Sequence, residues 1–110
     1  MARYKLAIVI PAFNEEKTIG KVVESVKEYG IVIVVNDASL DNTMQVAKNS
    51  GAIVVNLNEN KGYDSALNSG FKKADELNCD GVITFDADGQ HSSSLLIKYI
   101  EYLKNGFDLV

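Results

Sequence analysis

The chain has 110 residues, 46% of them hydrophobic and only one a proline, so it fits a single globular domain that buries roughly two thirds of its unfolded surface. Eleven basic residues against fifteen acidic ones leave a net charge of −4 with no lysine or arginine block, so no nucleic-acid partner is expected. The single cysteine, Cys79, excludes an internal disulfide and a multi-cysteine metal site. No segment approaches the roughly 20 apolar residues of a membrane span, so none is expected in this chain.

Short β-branched or aromatic runs predict five strands. In chain order they are Leu6–Ile10, Ile31–Val35, Ala52–Val55, Val82–Phe85 and Phe107–Val110. Runs of this kind are typical of strands that are buried on both faces of a sheet.

Apolar residues at helical spacing predict amphipathic helices between the strands. The three longer helices carry Ile19, Val22, Val23 and Val26; then Tyr63, Ala66, Leu67, Gly70, Phe71, Ala74 and Leu77; then Leu95, Leu96, Tyr99, Ile100 and Leu103. A shorter helix is predicted near Asn42–Asn49, with Asp41 as its N-cap and with Met44 and Ala47 facing inward. Strands joined through helices must be parallel, so the alternation predicts an open α/β sheet with helices on both faces.

Polar residues follow three of the predicted strands at the points where those strands end. They lie in Pro11–Glu16, Asn36–Asp41 and Asp86–Gln90, whereas the third strand leads only into Asn56–Asn58. Parallel sheets bind ligands outside the carboxyl ends of their strands, at the point where the strand order reverses. The sequence therefore predicts a ligand site at this edge of the sheet.

Helix caps account for only some of these polar residues. Asn14, Asp41 and Ser92 are candidate caps, one for each connection. Caps do not account for four further acidic residues, namely Glu15, Asp37, Asp86 and Asp88. Because like charges gathered at one edge destabilise a fold, these carboxylates predict a cation or a ligand rich in hydrogen-bond donors.

Asp86 and Asp88 are separated by one small residue and follow the apolar pair Val82–Ile83 closely. Their oxygens suit a divalent cation and the phosphates it carries, although Asp and Gly are also ordinary turn residues. Neither a phosphate-binding P-loop nor a Gly-x-Gly-x-x-Gly motif follows the first strand, which disfavours an ATPase or a dinucleotide oxidoreductase. Lys61 is either a cation that meets phosphates or an exposed loop lysine.

Four segments, in order along the chain, resemble the successive motifs of family-2 inverting glycosyltransferases. They are Val9–Glu16, Val34–Thr43, Asn60–Gly62 together with Ala66–Gly70, and Phe85–His91. The last segment is most similar to the dolichyl-phosphate mannose synthase-like, or polyisoprenyl-phosphate glycosyltransferase, branch. The resemblance implies a Rossmann-like (GT-A) fold with an open, mainly parallel sheet. It also implies that residues 1–110 are the nucleotide-sugar-binding N-terminal part of one domain, truncated after about the fifth strand.

The resemblance also implies roles for individual residues in a nucleotide pocket. Pro11, Phe13 and Glu15 would line the nucleoside site, Phe13 beside the base or ribose and Glu15 towards the ribose hydroxyls. Asp37 would accept a hydrogen bond from the N–H of the base ring, and Lys61 would lie near the diphosphate.

By the same resemblance, the last motif implies a metal site. Asp86 would face the nucleotide and the metal, while Asp88 and Gln90 would ligate a Mg²⁺ or Mn²⁺ that bridges the phosphates. The cation would neutralise the charge that develops on the departing nucleoside diphosphate.

The implied activity is inverting transfer of a sugar from a UDP- or GDP-linked donor to an acceptor, either a polyisoprenyl phosphate or a glycan. Inversion needs a carboxylate base to deprotonate the acceptor, and in this family the base lies in a region that would follow Val110. The catalytic residue is therefore unassigned, and the 110-residue chain by itself is expected not to catalyse transfer. The resemblance places the intact enzyme in the cytoplasm or at the cytoplasmic face of a membrane.

The sequence departs from the family pattern at three positions. Asn36 replaces the first acid of the usual Asp-Asp pair, Ala38 occupies a position usually held by glycine, and Phe13 stands where tyrosine is common. The first two departures leave the identity of the base open.

Two other functions share parts of this pattern. A metal-dependent nucleotidyltransferase would share the nucleotide site but needs a glycine-rich, basic loop after the first strand, which Pro11–Glu16 is not. A receiver-type signalling domain needs an aspartate at the end of the third strand, where this chain has Asn56 and Asn58.

A truncated sheet would also leave an edge open, so self-association is expected.

Overall fold

A computed structural model describes residues 5–87 of the chain. It contains four strands and three helices: β1 (Leu6–Ala12), α1 (Ile19–Val26), β2 (Ile31–Asn36), α2 (Thr43–Asn49), β3 (Ile53–Asn56), α3 (Tyr63–Glu76) and β4 (Gly81–Thr84). The predicted alternation of strands and helices is confirmed over this range. The predicted strand Phe107–Val110 and the predicted helix over 95–103 lie outside the described residues.

The four strands form one parallel sheet in the order β3-β2-β1-β4. Ile8 in the middle of β1 pairs with Val32 of β2 on one side and with Ile83 of β4 on the other. Successive crossovers lead outward from β1 to β2 and β3, and the chain then returns to the other side of β1. The strand order therefore reverses beside β1, which creates a crevice at the carboxyl ends of β1 and β4.

Side chains of β1 and β2 alternate between two apolar layers. Ile8 and Ile10 pack with α1 and α2 on one face, whereas Ala7 and Val9 pack with α3 on the other. Helices therefore cover both faces, as predicted, and the two central strands are the rigid base of the crevice.

The prediction that every strand is buried on both faces is wrong for the two outer strands. Ile53 and Asn56 of β3 are exposed, and so are Val82 and Thr84 of β4. Within residues 5–87 each outer strand pairs with one neighbour only, and α3 packs chiefly over β1 and β2. Part of each outer strand is consequently left uncovered by this part of the chain.

The buried face of α3 is also narrower than the sequence pattern predicts. Ala66, Gly70 and Ala74 are buried against the sheet, whereas Tyr63 and Phe71 are exposed. A Cβ atom at Gly70 would lie only 2.3 Å from Cγ1 of Val9, so the helix approaches the sheet too closely for larger side chains. The two aromatic residues flank this contact instead of entering it.

No helix within residues 5–87 has the length and apolar character needed to cross a membrane.

Candidate functional site

A pocket of about 410 Å³ opens at the carboxyl ends of β1, β2 and β4. It is lined by Pro11, Ala12, Phe13, Glu15, Asp37, Asn60, Gly62, Tyr63, Ala66, Asp86 and Ala87. The pocket lies beside the reversal of strand order, and its size is in the range of small-molecule sites, roughly 300–1,000 Å³. The ligand site predicted from the sequence thus has a counterpart in the fold.

Most of the candidate nucleotide-binding residues meet in this pocket. Those that line it are Pro11, Phe13, Glu15, Asp37 and Asp86. Lys61 is not among the lining residues, although its neighbours Asn60 and Gly62 are. The candidate metal ligands Asp88 and Gln90 lie outside the described residues.

Phe13 presents its ring at the pocket rather than in the core. Its side chain is 44% exposed at the end of β1. Burial would be needed for a core role, so the exposure favours contact with a flat ligand group.

Asp37 is the most buried of the pocket carboxylates, with only 5% of its surface exposed. Its backbone N–H donates to the carbonyl of Ala12, which continues the pairing of β1 with β2 by one residue. Its carboxylate accepts hydrogen bonds from the backbone N–H groups of Lys61 (2.9 Å) and Gly62 (3.2 Å). The end of β2 is thereby joined to the connection that leads into α3.

The loop after β1 is held by the loop after β2. Asn14 donates its N–H to Oγ of Ser39 (2.9 Å) and accepts from the N–H of Leu40 through Oδ1 (2.8 Å). The N–H of Glu15 donates to Oγ1 of the buried Thr43 (2.8 Å). These bonds fix the backbone on both sides of the pocket residues Phe13 and Glu15.

Asn14 is not a helix cap, because α1 begins at Ile19 with Thr18 before it. Asn14 has a φ of 54°, a left-handed conformation that asparagine tolerates better than most residues. Its side chain bonds across to the β2 loop, so its role is to join two loops.

Asp41 was predicted to be the N-cap of α2, but it lies one residue before the N-cap and still stabilises the start of this helix. The N-cap is Asn42, yet Oδ1 of Asp41 accepts from both the N–H (2.9 Å) and the hydroxyl of Thr43. Its other oxygen accepts from the N–H of Glu16 (3.3 Å). Burial acts to raise the pKa of Asp41, but the bonds from Thr43 and Glu16 outweigh it and lower that pKa below its ordinary value.

We expect Asp41 to make the stability of the fold depend on pH. A carboxyl whose pKa is lowered by folding stabilises the protein above its unfolded pKa, about 3.9, and this contribution is lost as the pH falls through the folded value. The free-energy difference between wild type and Asp41→Asn should therefore be present near neutral pH and shrink below about pH 4. Urea unfolding of both proteins across that range measures it. A difference that is the same at about pH 3 and at about pH 7 would contradict the assignment.

Thr18 is a pocket-organising residue that sequence reasoning missed. Its hydroxyl lies 2.7 Å from the carbonyl oxygen of Ala87 and 3.4 Å from Oε2 of Glu15. It thus links the start of α1 to the segment after β4 and orients the Glu15 carboxylate. A threonine before a helix is an ordinary cap, so its sequence position alone carried no signal for this role.

Two departures from the family pattern have structural counterparts. Ala38 has a φ of 60°, a conformation that favours glycine and explains why glycine is usual there. Asn36 donates through Nδ2 to Oδ1 of Asn56 (3.0 Å) and accepts from the N–H of Ser39 (3.2 Å). A carboxylate could not donate to Asn56, so the amide at position 36 suits this neighbour.

Asn60, Tyr63 and Ala66 complete the wall formed by the start of α3, and sequence reasoning had not assigned them to the site. Tyr63 was hidden within an apolar helical pattern, although it is 56% exposed. The glycine before Tyr63 was the one sequence feature that could have indicated a loop wall here. In the structure Gly62 has a φ of 91°, a conformation that favours glycine, at the start of the helix.

Within residues 5–87 no group of three or more histidine, cysteine, aspartate or glutamate side chains is arranged to hold a metal ion. Asp86, half-buried and two residues beyond the end of β4, supplies a hard carboxylate oxygen at the pocket wall. One such oxygen fits a Mg²⁺ or Mn²⁺ ion that takes most of its other ligands from phosphates and water.

The fold has close counterparts among solved structures. Glucosyl-3-phosphoglycerate synthase from Mycobacterium tuberculosis, solved with Mn²⁺, UDP-glucose and phosphoglyceric acid, matches with a TM-score of 0.75 and 27% identity. The match covers 94% of this chain and 40% of that one. The parallel sheet with helices on both faces is thus the Rossmann-like GT-A fold of nucleotide-sugar glycosyltransferases.

Sequence comparison then identifies the family. The model of glycosyl transferase family 2 matches residues 7–110, so the chain belongs to that family. The UDP-N-acetylglucosamine–dolichyl-phosphate N-acetylglucosaminyltransferase of Methanococcus voltae is 36% identical over 96% of this chain and 49% of its own length. The undecaprenyl-phosphate 4-deoxy-4-formamido-L-arabinose transferase of Proteus mirabilis is 31% identical over 96% of this chain and 36% of its own. The chain therefore spans half or less of the length of these two relatives.

Proposed function

We propose that this chain binds the nucleotide-sugar donor and a divalent metal, and that it forms the donor half of an inverting glycosyltransferase domain. The observation that carries the proposal is the pocket at the strand reversal, where Phe13, Asp37 and Asp86 come together from three different strand ends. These three side chains suit one nucleotide ligand. The aromatic ring matches the base or ribose, the buried carboxylate matches an N–H of the base, and the carboxylate after β4 matches a metal ion on the diphosphate.

Each wall of the pocket has a task in this proposal. Phe13 contacts the base or ribose, Glu15 accepts from the ribose hydroxyls, and Asp37 accepts from the base N–H. Lys61 meets the diphosphate from the loop before α3. Asp86, with Asp88 and Gln90, would hold Mg²⁺ or Mn²⁺, which when bound neutralises the charge on the leaving nucleoside diphosphate.

The named relatives support a narrower choice of donor and acceptor. Two of the similar proteins use or bind UDP-sugars, which favours UDP over GDP. Two act with dolichyl or undecaprenyl phosphate, which favours a polyisoprenyl phosphate over a glycan as acceptor. The intact enzyme would then act at the cytoplasmic face of a membrane, where a water-soluble donor meets a lipid-linked phosphate.

The alternative functions receive less support. The receiver-domain hypothesis needs an aspartate at the end of β3, and that strand ends at Asn56. The nucleotidyltransferase hypothesis needs a basic, glycine-rich loop after β1, where the structure has a loop tied down by Asn14 and Glu15. Release of nucleoside diphosphate by the intact parent enzyme would support the glycosyltransferase, and release of pyrophosphate would support the nucleotidyltransferase.

The binding proposal is tested by replacing one exposed aromatic residue in the pocket and one outside it. Phe13→Ala should weaken UDP binding in the presence of Mn²⁺ by about 5- to 30-fold, the equivalent of about 1–2 kcal/mol for a stacked ring. Phe71→Ala is the matched control, because Phe71 is 40% exposed on α3 and does not line the pocket. Its affinity should equal that of wild type.

Calorimetric titration with UDP and GDP, with and without Mn²⁺, measures these affinities. A wild-type chain that binds neither nucleotide in the presence of metal would overturn the proposed function. Equal affinities of Phe13→Ala and wild type would instead remove Phe13 from the site and leave the rest of the proposal to the other pocket residues.

A further inference from the structure

The connection between β3 and α3 supplies one wall of the pocket, and it is held by a residue from another part of the chain. Asn60 and Gly62 line the pocket, and Lys61 lies between them. The N–H groups of Lys61 and Gly62 both point to the carboxylate of Asp37, at 2.9 and 3.2 Å. Asp37 is buried, so its carboxylate is shielded from water on the acceptor side of both bonds.

The start of α3 has no cap of its own. Its N-cap position is Gly62, which has no side chain to accept from the helix N–H groups. The Asp37 carboxylate therefore supplies the negative charge that the N-terminus of a helix favours, from 25 residues earlier in the chain. Removing it would leave two partly buried donors without this acceptor.

The backbone conformation of Gly62 requires glycine at this position. Its φ of 91° and ψ of 173° fall in a region open essentially to glycine alone. Nothing lies within 4 Å of where a Cβ would be, so packing does not require glycine here. The requirement is conformational, because this backbone leads the chain into α3 while the N–H groups of Lys61 and Gly62 remain bonded to Asp37.

Asp37 still has capacity to accept from a ligand. A carboxylate offers about four lone-pair sites, and the loop uses two of them. We infer that Asp37 is a positioning residue for the Lys61 loop in addition to its proposed contact with the base, so that one carboxylate couples base recognition to diphosphate binding. The inference rests on the proposed nucleotide function for its ligand.

The first test needs no ligand. The N–H groups of Lys61 and Gly62 bond to different oxygens of Asp37. In Asp37→Asn one of these oxygens is replaced by an NH₂ group, which cannot accept, so at least one of the two N–H groups should exchange with solvent about tenfold faster. Hydrogen exchange of the Lys61 and Gly62 amides, followed by NMR, measures this. The amide of Leu57 is the internal control, because it donates to the backbone carbonyl of Asn36 and should keep its rate.

The second test uses a ligand without a base, inorganic pyrophosphate with Mn²⁺. If Asp37 positions the Lys61 loop, Asp37→Asn should weaken pyrophosphate binding about fivefold, and Lys61→Ala should then cost little more in that background. Simple electrostatics predicts the opposite sign, because the variant removes a negative charge near an anion. Asp64→Asn, in the exposed first turn of α3, is the control for loss of charge near this helix end.

A second variant reaches the same loop without touching the carboxylate. Gly62→Ala should force another backbone conformation, accelerate exchange of the Lys61 amide and weaken pyrophosphate binding although Asp37 is intact. Unchanged exchange at Lys61 and Gly62 together with unchanged pyrophosphate affinity in Asp37→Asn would overturn the inference. A wild type that binds no nucleotide would overturn the proposed function alone, since the exchange rates still decide whether Asp37 positions the loop.

Discussion

Asp86→Asn is expected to lower the affinity of the chain for UDP in the presence of Mn²⁺ by about 100-fold, or about 2.7 kcal/mol. Asp86 lies two residues beyond the end of β4, at the pocket wall on the side where the strand order reverses. An asparagine keeps the shape of the side chain but loses the negative charge that attracts a divalent cation. The effect should vanish when Mn²⁺ is removed, because both proteins would then bind the nucleotide without metal.

Asp80→Asn is the matched control for this prediction. Asp80 precedes β4 as Asp86 follows it, so the same change of charge is made at the opposite end of one strand. Oδ2 of Asp80 accepts from the N–H of Lys5, and an asparagine oxygen can keep that bond. Calorimetry on all three proteins, with melting curves to show that each is folded, gives the answer. Equal Mn²⁺-dependent affinities of Asp86→Asn and wild type would contradict the metal role of Asp86.

The largest expected effect on stability comes from Gly70→Ala, which should lower the free energy of unfolding by about 1–3 kcal/mol. The added Cβ would lie 2.3 Å from Cγ1 of Val9 and 3.1 Å from Cγ2 of Val35, so α3 must move away from the sheet. Alanine favours helix over glycine by about 1 kcal/mol, so a net loss of stability would show that packing outweighs propensity. Because α3 carries Tyr63 and Ala66 to the pocket, UDP affinity should fall as well.

Gly20→Ala is the control for the gain in helix propensity. Gly20 is also a helical glycine, in α1, but its Cβ would meet side-chain atoms of Val46 and Ser50 at 3.1 and 3.2 Å. These neighbours need to yield only slightly, so the change in stability should be close to zero or favourable. Urea unfolding of both variants compares them, and a Gly70→Ala protein as stable as Gly20→Ala would contradict the close approach of α3 to the sheet.

The sequence carried the architecture because the two periodic patterns are local. The apolar runs around Ile8 and Ile33 predict strands, and the spacing of Ile19, Val22 and Val26 predicts a helix. Neither prediction needs to know what the element packs against. Alternation of these elements forces parallel pairing, which brings the polar strand ends to one edge. The same logic made Glu15 and Asp37 candidates for one site, although they are distant along the chain, whereas Phe13 became a candidate only through the family resemblance.

The sequence could not predict how deeply each side chain is buried. Tyr63 and Phe71 share the helical period of the buried Ala66, yet only the distance between α3 and the sheet decides that they stay outside. The exposure of β3 and β4 likewise depends on how far the helices extend over the sheet. Such distances are set by the sum of many side-chain volumes and have no local signature.

The sequence by itself therefore determined the fold class, the edge of the sheet at which the pocket opens and five of the eleven residues that line it. Tertiary structure alone decided what holds them: Thr18 on the carbonyl of Ala87, Asn14 across to Leu40, and Asp37 on the loop before α3. The physical reason is that polar side chains bond to whichever backbone group the fold brings near them. A sequence shows the donors and acceptors, whereas their pairing exists only once the strands have been brought side by side.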